Sequence, residues 1–258
     1  MTATGTLHRI PVRPWRWVPW LLLSQLLVLL AWCALGWKAG LPLLLASHAL
    51  FVVPVFLPNS RFYAPVLSRL PGPAVWLTID DGPSDDTLAI LDLLDRYGAR
   101  ATFFVVGARA AARPELVREM VRRGHELGNH SQSHPQGRFW RLGPATLARE
   151  IGQCQQALAA LGQQPRWYRS VVGMTNPFVA AALRRHALAR VGWSARGFDG
   201  VQCRPDTVVA RIVRGLEPGA IVLLHEGAAH GHNVAIIEAV LRQLQARGLA
   251  ARLPQGTA

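Results

Sequence analysis

From residue 74 onward the chain repeats one pattern, a short apolar run followed by an amphipathic stretch. The apolar runs fall at residues 75–80, 101–106, 126–129, 167–169, 189–194, 220–224 and 249–253. Between them, stretches such as TLAILDLLDRYG, PELVREMVRRG and NVAIIEAVLRQLQARG carry apolar residues at helical spacing. Pro114 and Pro144 stand where helices begin, and Gly98, Gly124 and Gly162 where they end. Strands alternating with helices call for a mostly parallel sheet. Seven strands either close into an incomplete barrel or lie open as a doubly wound sheet, and the pattern serves both. In either architecture function gathers at the carboxyl ends of the strands.

The part before residue 74 has a different character. Residues 17–37, WVPWLLLSQLLVLLAWCALGW, carry no charge. As a helix they span about 30 Å, the thickness of a bilayer core. Tryptophans stand at both ends, as interfacial anchors do. The run is too long for a signal-peptide core, and no small-residue cleavage site follows it. A second apolar run, residues 41–57, is weakened by Pro42, His48 and Pro54 but reads as a second span. Arg9, Arg13 and Arg16 precede the first run, Lys38 alone lies between the runs, and Arg61 and Arg69 follow the second. Positive charge stays in the cytoplasm. The expected arrangement is a transmembrane helical hairpin in a bacterial-type inner membrane, with both ends cytoplasmic. If the second run does not span, the following domain is periplasmic. Residues 1–57 are thus expected as an anchor, residues 58–73, rich in proline, as a linker, and residues 74–258 as the catalytic domain.

The formal charge is +13, from 28 basic and 15 acidic residues, and no acid precedes Asp80. Such an excess suits nucleic acid, anionic lipid or phosphorylated glycans. The chain has no zinc-finger spacing, no recognition-helix signal and no basic run interleaved with aromatics, which argues against nucleic acid. Cys33, Cys154 and Cys203 are too few and too scattered for a disulfide framework.

The strand ends carry the chemistry. The first ends in Asp80-Asp81, the third in GNHSQSH, the fourth in YRSVVG, the fifth runs into SARGFDG and the sixth ends in LLHEG. His130 and His134 are four apart, so on one turn both imidazoles can bind one metal. With one of the two adjacent acids they make a three-ligand site that leaves coordination positions open, as catalysis requires. The other acid is then free to accept a proton from water. His225 is a candidate for the acid that protonates a leaving group. Asp199 can hold its second ring nitrogen, and Arg169 can pair with the free carboxylate. In HEGAAHGHN, His230 and His232 form either a second metal site or a polar loop capping the mouth, and the loop is the commoner arrangement.

TIDDGP, HSQSH, YRSVVG, GFDG and LLHEG, in that order, resemble the motifs of the NodB-homology polysaccharide deacetylases, a family of metal-dependent carbohydrate esterases. The resemblance covers about residues 74–253. It implies a distorted (β/α)7 barrel, a divalent metal (zinc, or else cobalt, nickel or manganese), and removal of N-acetyl groups from the amino sugar of a glycan or lipid-linked glycan. By position it implies Asp80 as base, with Asp81, His130 and His134 as metal ligands. It likewise implies Arg169 tethering Asp80, Asp199 tuning His225 as general acid, Leu223 lining the acetyl pocket, and the Val172 backbone N–H as oxyanion donor. Three departures stand out. Ser170 and Val171 replace a proline segment after the arginine, Arg196 replaces an acid, and Gly200 replaces a tryptophan that walls the groove. Arg196 beside an open wall suits an anionic group such as a phosphate. The departures at Val171 and Gly200 also fit a membrane-anchored glycan-binding protein with impaired catalysis. A lone metal beside a base fits a phosphate-ester hydrolase, but the motif order favours amide hydrolysis.

Overall fold

A computed structural model describes residues 7–202 and 204–254, so Cys203 and the two extreme termini lie outside the described residues. Two helices come first, α1 (Val18–Leu35) and α2 (Trp37–Val52), with a 3-10 turn at Val53–Phe56 extending the second. Gly36 alone reverses the chain between them, with φ at 76°. The second helix therefore begins at Trp37 rather than at residue 41, with Pro42 inside its first turns. The two helices pack on each other. Gln25 Nε2 donates to Ser47 Oγ at 2.8 Å and Ser47 Oγ to Ser24 Oγ at 3.0 Å, and Gly40 lies against the ring of Trp32. Small residues and polar bridges of this kind join helices in lipid. Their outer faces, with Leu22, Leu26, Leu29 and Leu45, are exposed. Both helices are long and apolar enough to cross a membrane.

The repeating part follows as β1 (Trp76–Gly82), α3 (Thr87–Arg96), β2 (Ala101–Val105), α4 (Gly107–Ala112), α5 (Pro114–Arg122), β3 (Glu126–Asn129), α6 (Pro144–Ala159), β4 (Trp167–Tyr168), α7 (Val179–Arg185), β5 (Ala189–Arg190), β6 (Ala195–Arg196), α8 (Pro205–Arg214), β7 (Ile221–His225) and α9 (Asn233–Ala246). All strand pairs are parallel, and the order is β5-β4-β3-β2-β1-β7-β6. The two ends of that order, β5 and β6, are separated in the chain only by residues 191–194. One run of sequence therefore serves both edges, and the sheet curls round on itself as a distorted (β/α)7 barrel. The expected strand at 189–194 is split by this change of partner. Val191 N donates to Tyr168 O, Gly192 N to Leu67 O, and Ser194 N to Ile221 O. The expected strand at 249–253 contributes a single parallel bridge, Val75 to Ala251.

Buried Leu77 and Ile79 of β1, Phe103 of β2 and Val222 and Leu224 of β7 join α3, α5, α8 and α9 in one core. Alternate residues of the same strands, Trp76, Phe104, Ile221 and Leu223, fill the barrel interior with Trp167 and Trp193. Residues 58–73, expected as a linker, lie along the barrel. Tyr63, Ala64, Val66 and Leu70 are buried, Leu67 bridges Val191, and Arg69 bridges Ala220. The strap covers the gap where β5 hands over to β6. Its prolines keep it out of a regular strand, which is why it reads as a boundary in the sequence.

Candidate active site

Adjacent residues on a strand point to opposite faces, so Asp80 and Asp81 need a break to reach one cavity. The break is a bulge. The pairing of β1 with β2 shifts register between Asp80 and Gly82, and Asp81 takes φ 73°. His134 and Val172, also non-glycine, have φ 52° and 46°. Left-handed backbone of this kind is costly and gathers at functional sites. Gly82 is the next link. A Cβ there would sit 2.0 Å from Glu226 Oε1, so only glycine lets β1 turn over that buried acid.

Asp80 is buried at the end of β1. Its Oδ1 accepts from Arg169 Nη1 at 2.8 Å, which leaves Oδ2 beside His130 Nε2 at 3.7 Å. Arg169 is wholly buried. Nη1 also donates to Thr78 Oγ1 at 2.6 Å and Nη2 to Gly192 O at 2.9 Å, and the guanidinium stacks 4.3 Å from the Phe104 ring centre. A buried charge needs this degree of pairing.

Asp81 Oδ1 is buried and accepts no hydrogen bond, yet His134 Nε2 and His130 Nε2 face it at 3.1 and 3.5 Å. One ligand atom from each of Asp81, His130 and His134 lies within 4.8 Å of the others. The Nδ1 of His130 is taken by the Arg169 carbonyl at 2.9 Å. That bond fixes the proton on Nδ1 and turns the Nε2 lone pair toward Asp81. Burial works against charge on Asp81, but contact with His130 and the charge of both imidazoles hold its carboxyl well below the usual range. Burial also works against charge on His130, but Asp80 and Asp81 outweigh it and raise its pKa. Burial and the charge of His130 push His134 down to about 4. The three side chains converge where a divalent cation would replace protons on the imidazole nitrogens. An orphaned carboxylate oxygen between two imidazole nitrogens fits a metal of the zinc class.

On the opposite wall, Asp199 receives His225 twice, from Nδ1 at 3.0 Å and from the backbone N–H at 2.6 Å. Burial opposes charge on His225, but the Asp199 carboxylate outweighs it and lifts the imidazole to about 9. The shift favours the protonated imidazole.

Asp80, Asp81, His130, His134, Val172, Arg196, Leu223 and His225 line one cavity, together with Gln136, Trp193, Phe198 and Gly200. Arg169 and Asp199 lie directly behind Asp80 and His225. All ten residues singled out in the sequence therefore meet in one place. The guanidinium of Arg196 lies 3.9 Å from the Phe198 ring centre and 5.4 Å from that of Trp193. Among the described residues no carboxylate pairs with it. A Cβ at Gly200 would stand 3.3 Å from the His225 ring, so a side chain at this position would crowd His225. His230 does not join the metal cluster. Its Nε2 meets the Asp199 carbonyl at 2.7 Å and its ring stacks on His232, which makes this loop a support for Asp199.

Four contributors escape sequence reasoning. Thr78, two residues before Asp80 on the same strand face, shares the Arg169 guanidinium. Trp193 and Phe198 present their rings to the Arg196 guanidinium. Glu226, beside His225, accepts from Ser84 N and Oγ at 3.2 and 2.8 Å and from Thr87 Oγ1. It pins the loop that follows Asp81. The position of Glu226 next to a catalytic candidate was the available signal, but alternation places it on the far side of the strand.

The match to the polysaccharide deacetylase family model spans residues 68–191. A chitooligosaccharide deacetylase of Bradyrhizobium sp. (strain ANU 289) is 36% identical over 184 residues, 70% of this chain and 83% of that protein. Among solved structures, a family 4 carbohydrate esterase from Streptomyces lividans in complex with acetate is 34% identical, with TM-score 0.64 over 70% of this chain and 92% of the other. The peptidoglycan deacetylase PdaC from Bacillus subtilis is 27% identical, with TM-score 0.63 over 70% and 87%. On these likenesses in sequence and fold, the chain belongs to the polysaccharide deacetylase family.

Proposed function

We propose that the chain is a metal-dependent deacetylase that hydrolyses the N-acetyl group of an amino sugar. The observation that carries this reading is the division of two adjacent acids between Arg169 on one side and the His130–His134 pair on the other. Asp81, His130 and His134 would hold a divalent cation, zinc by its ligand set, which when bound supplies a Lewis acid for the acetamide carbonyl. Asp80, held by Arg169 through Oδ1, accepts the proton of the attacking water. The Val172 N–H donates to the carbonyl oxygen as charge develops there, and Leu223 bounds the methyl group. As the C–N bond breaks, His225 passes its proton to the departing amine nitrogen, so the products are acetate and a free amino sugar. Asp199 keeps His225 oriented and charged until that step.

The substrate we assign is an amino sugar on a lipid phosphate carrier. Among the described residues Arg196 has no acidic partner, and it stands at the cavity, which suits a phosphate. The arginines flanking the two apolar helices support a hairpin over residues 1–57 of a bacterial inner membrane, with the catalytic domain, residues 74–258, on the cytoplasmic side. Polymeric wall glycan is absent there, whereas lipid-linked sugar intermediates are exposed at that leaflet. The test is acetate release from soluble and lipid-linked amino sugars, with and without chelator. Release that is insensitive to chelator contradicts the metal, and a reporter after Ala258 active only in the periplasm contradicts the assigned side.

A further inference from the structure

The mouth of the cavity and the foot of the helical hairpin form one surface. Thr175 N donates to Val55 O at 2.8 Å, the Phe56 ring lies 5.9 Å from that of Trp140, and Pro58 packs beside Gly173. Trp140 and Gly173 belong to the loops after β3 and β4, the loops that bring His134 and Val172 to the cavity. The apolar end of the second helix thus touches two of the loops that border the site.

The rest of that rim is apolar and open. Trp140, Val172, Phe198 and Val201, all on carboxyl-end loops, are 42, 47, 43 and 84% exposed. Phe56 and Leu57, at the foot of the hairpin, are 46 and 51% exposed. Arg61, Arg138, Arg141 and Arg204, within a few residues of Leu57, Trp140 and Val201 in the chain, are exposed. Residues 127–149 and 151–198 contain no acid. Exposed aromatic and aliphatic side chains set among arginines make an interfacial surface matched to anionic lipid, and the acid that breaks the sequence run, Glu150, is engaged by the Gln132 and Ser133 N–H groups and the Ser133 hydroxyl. A mouth that faced open water would leave this patch uncovered.

We infer that the barrel docks mouth-down on the anionic membrane surface. Trp140, Phe198 and Val201 enter the interface, and Arg138, Arg141 and Arg204 meet lipid headgroups. Substrate reaches the site along the membrane plane, so the preferred class is an amphiphile whose amino sugar stands at the headgroup level. This rests on the deacetylase reading and deepens it, because it states how the sugar is delivered. The substrate's lipid stays in the bilayer while its sugar rises past Phe198 toward His225.

The experiment reconstitutes the full chain into phosphatidylethanolamine–phosphatidylglycerol vesicles. Spin labels are placed singly through Val201→Cys and Gln245→Cys, with Cys33→Ser and Cys203→Ser in both. Gln245, exposed near the end of α9, lies at the opposite end of the barrel. Docking gives an oxygen-to-nickel collision ratio several-fold higher at 201 than at 245. Equal ratios overturn the inference. Acetate release from a soluble chito-oligosaccharide by the unlabelled chain in the same vesicles reports on the deacetylase reading alone. Release with a water-exposed label at 201 sinks docking and keeps the enzyme. No release with a lipid-immersed label does the reverse.

Discussion

Arg169 reaches Asp80 from complete burial, Nη1 to Oδ1 at 2.8 Å, and no water-exposed group shares the contact. The carboxylate is thereby held with one oxygen engaged and one beside the candidate metal site. Removing the guanidinium leaves a buried acid without its partner. Arg169→Leu should cost about 3–5 kcal/mol of stability. Adding Asp80→Asn should restore part of that loss, since the unpaired charge is gone. Thermal unfolding in detergent of the two single variants and the double variant measures the coupling, and strictly additive losses would contradict it.

His225 is lifted to about 9 chiefly by Asp199 acting against burial. If His225 is the proton donor, activity falls as pH rises through that value, because the imidazole loses the proton it must give. Asp199→Asn removes the stabilising charge and should move the basic limb of the pH–rate profile to lower pH. The acidic limb should stay in place. A basic limb that does not move removes Asp199 from this role.

Burial pushes Glu226 up to about 6 against the hydrogen bonds of Thr87 and Ser84. An acid whose pKa is raised in the fold favours the folded state while protonated. That contribution is complete below the unfolded value, about 4.3, and is lost as pH rises through about 6. A shift of this size corresponds to roughly 2 kcal/mol. Glu226→Gln should therefore flatten the decline of thermal stability between pH 4 and 7 and leave the variant the more stable at neutral pH. Parallel pH–stability curves would show that Glu226 does not titrate in this range.

The Arg196 guanidinium lies over the Phe198 ring and near that of Trp193, with no acid paired to it among the described residues. A charge-assisted contact to a phosphate is worth about 1.5–3 kcal/mol. Arg196→Ala should thus raise KM for a phosphorylated amino sugar about ten- to hundredfold relative to a neutral oligosaccharide. Equal changes for both substrates would show that Arg196 shapes the cavity without reading charge.

The parallel sheet and its helices are legible in the sequence because Leu77, Ile79, Phe103, Val222 and Leu224 repeat at strand spacing between helical stretches. The site is legible because its polar residues interrupt those runs at their carboxyl ends. What is not legible depends on partners distant in sequence. The split of residues 189–196 between two strands is set by which edge each half meets, and nothing local to Gly192 announces it. Residues 58–73 look like a spacer because their prolines mask the alternation that buries Val66 and Leu70. The left-handed turn at Asp81, which decides that both acids reach one cavity, follows from Gly82 lying over Glu226, more than a hundred residues away.

The proposed mechanism gives Asp80 the proton and Asp81, with His130 and His134, the cation. Acetate released per bound zinc ion, compared between the wild-type chain and Asp80→Asn, separates the two roles. Asp80→Asn should keep its full complement of zinc and lose turnover by about 10²- to 10⁴-fold, the usual worth of a positioned base. Retained turnover, or loss of the ion together with activity, would contradict that mechanism.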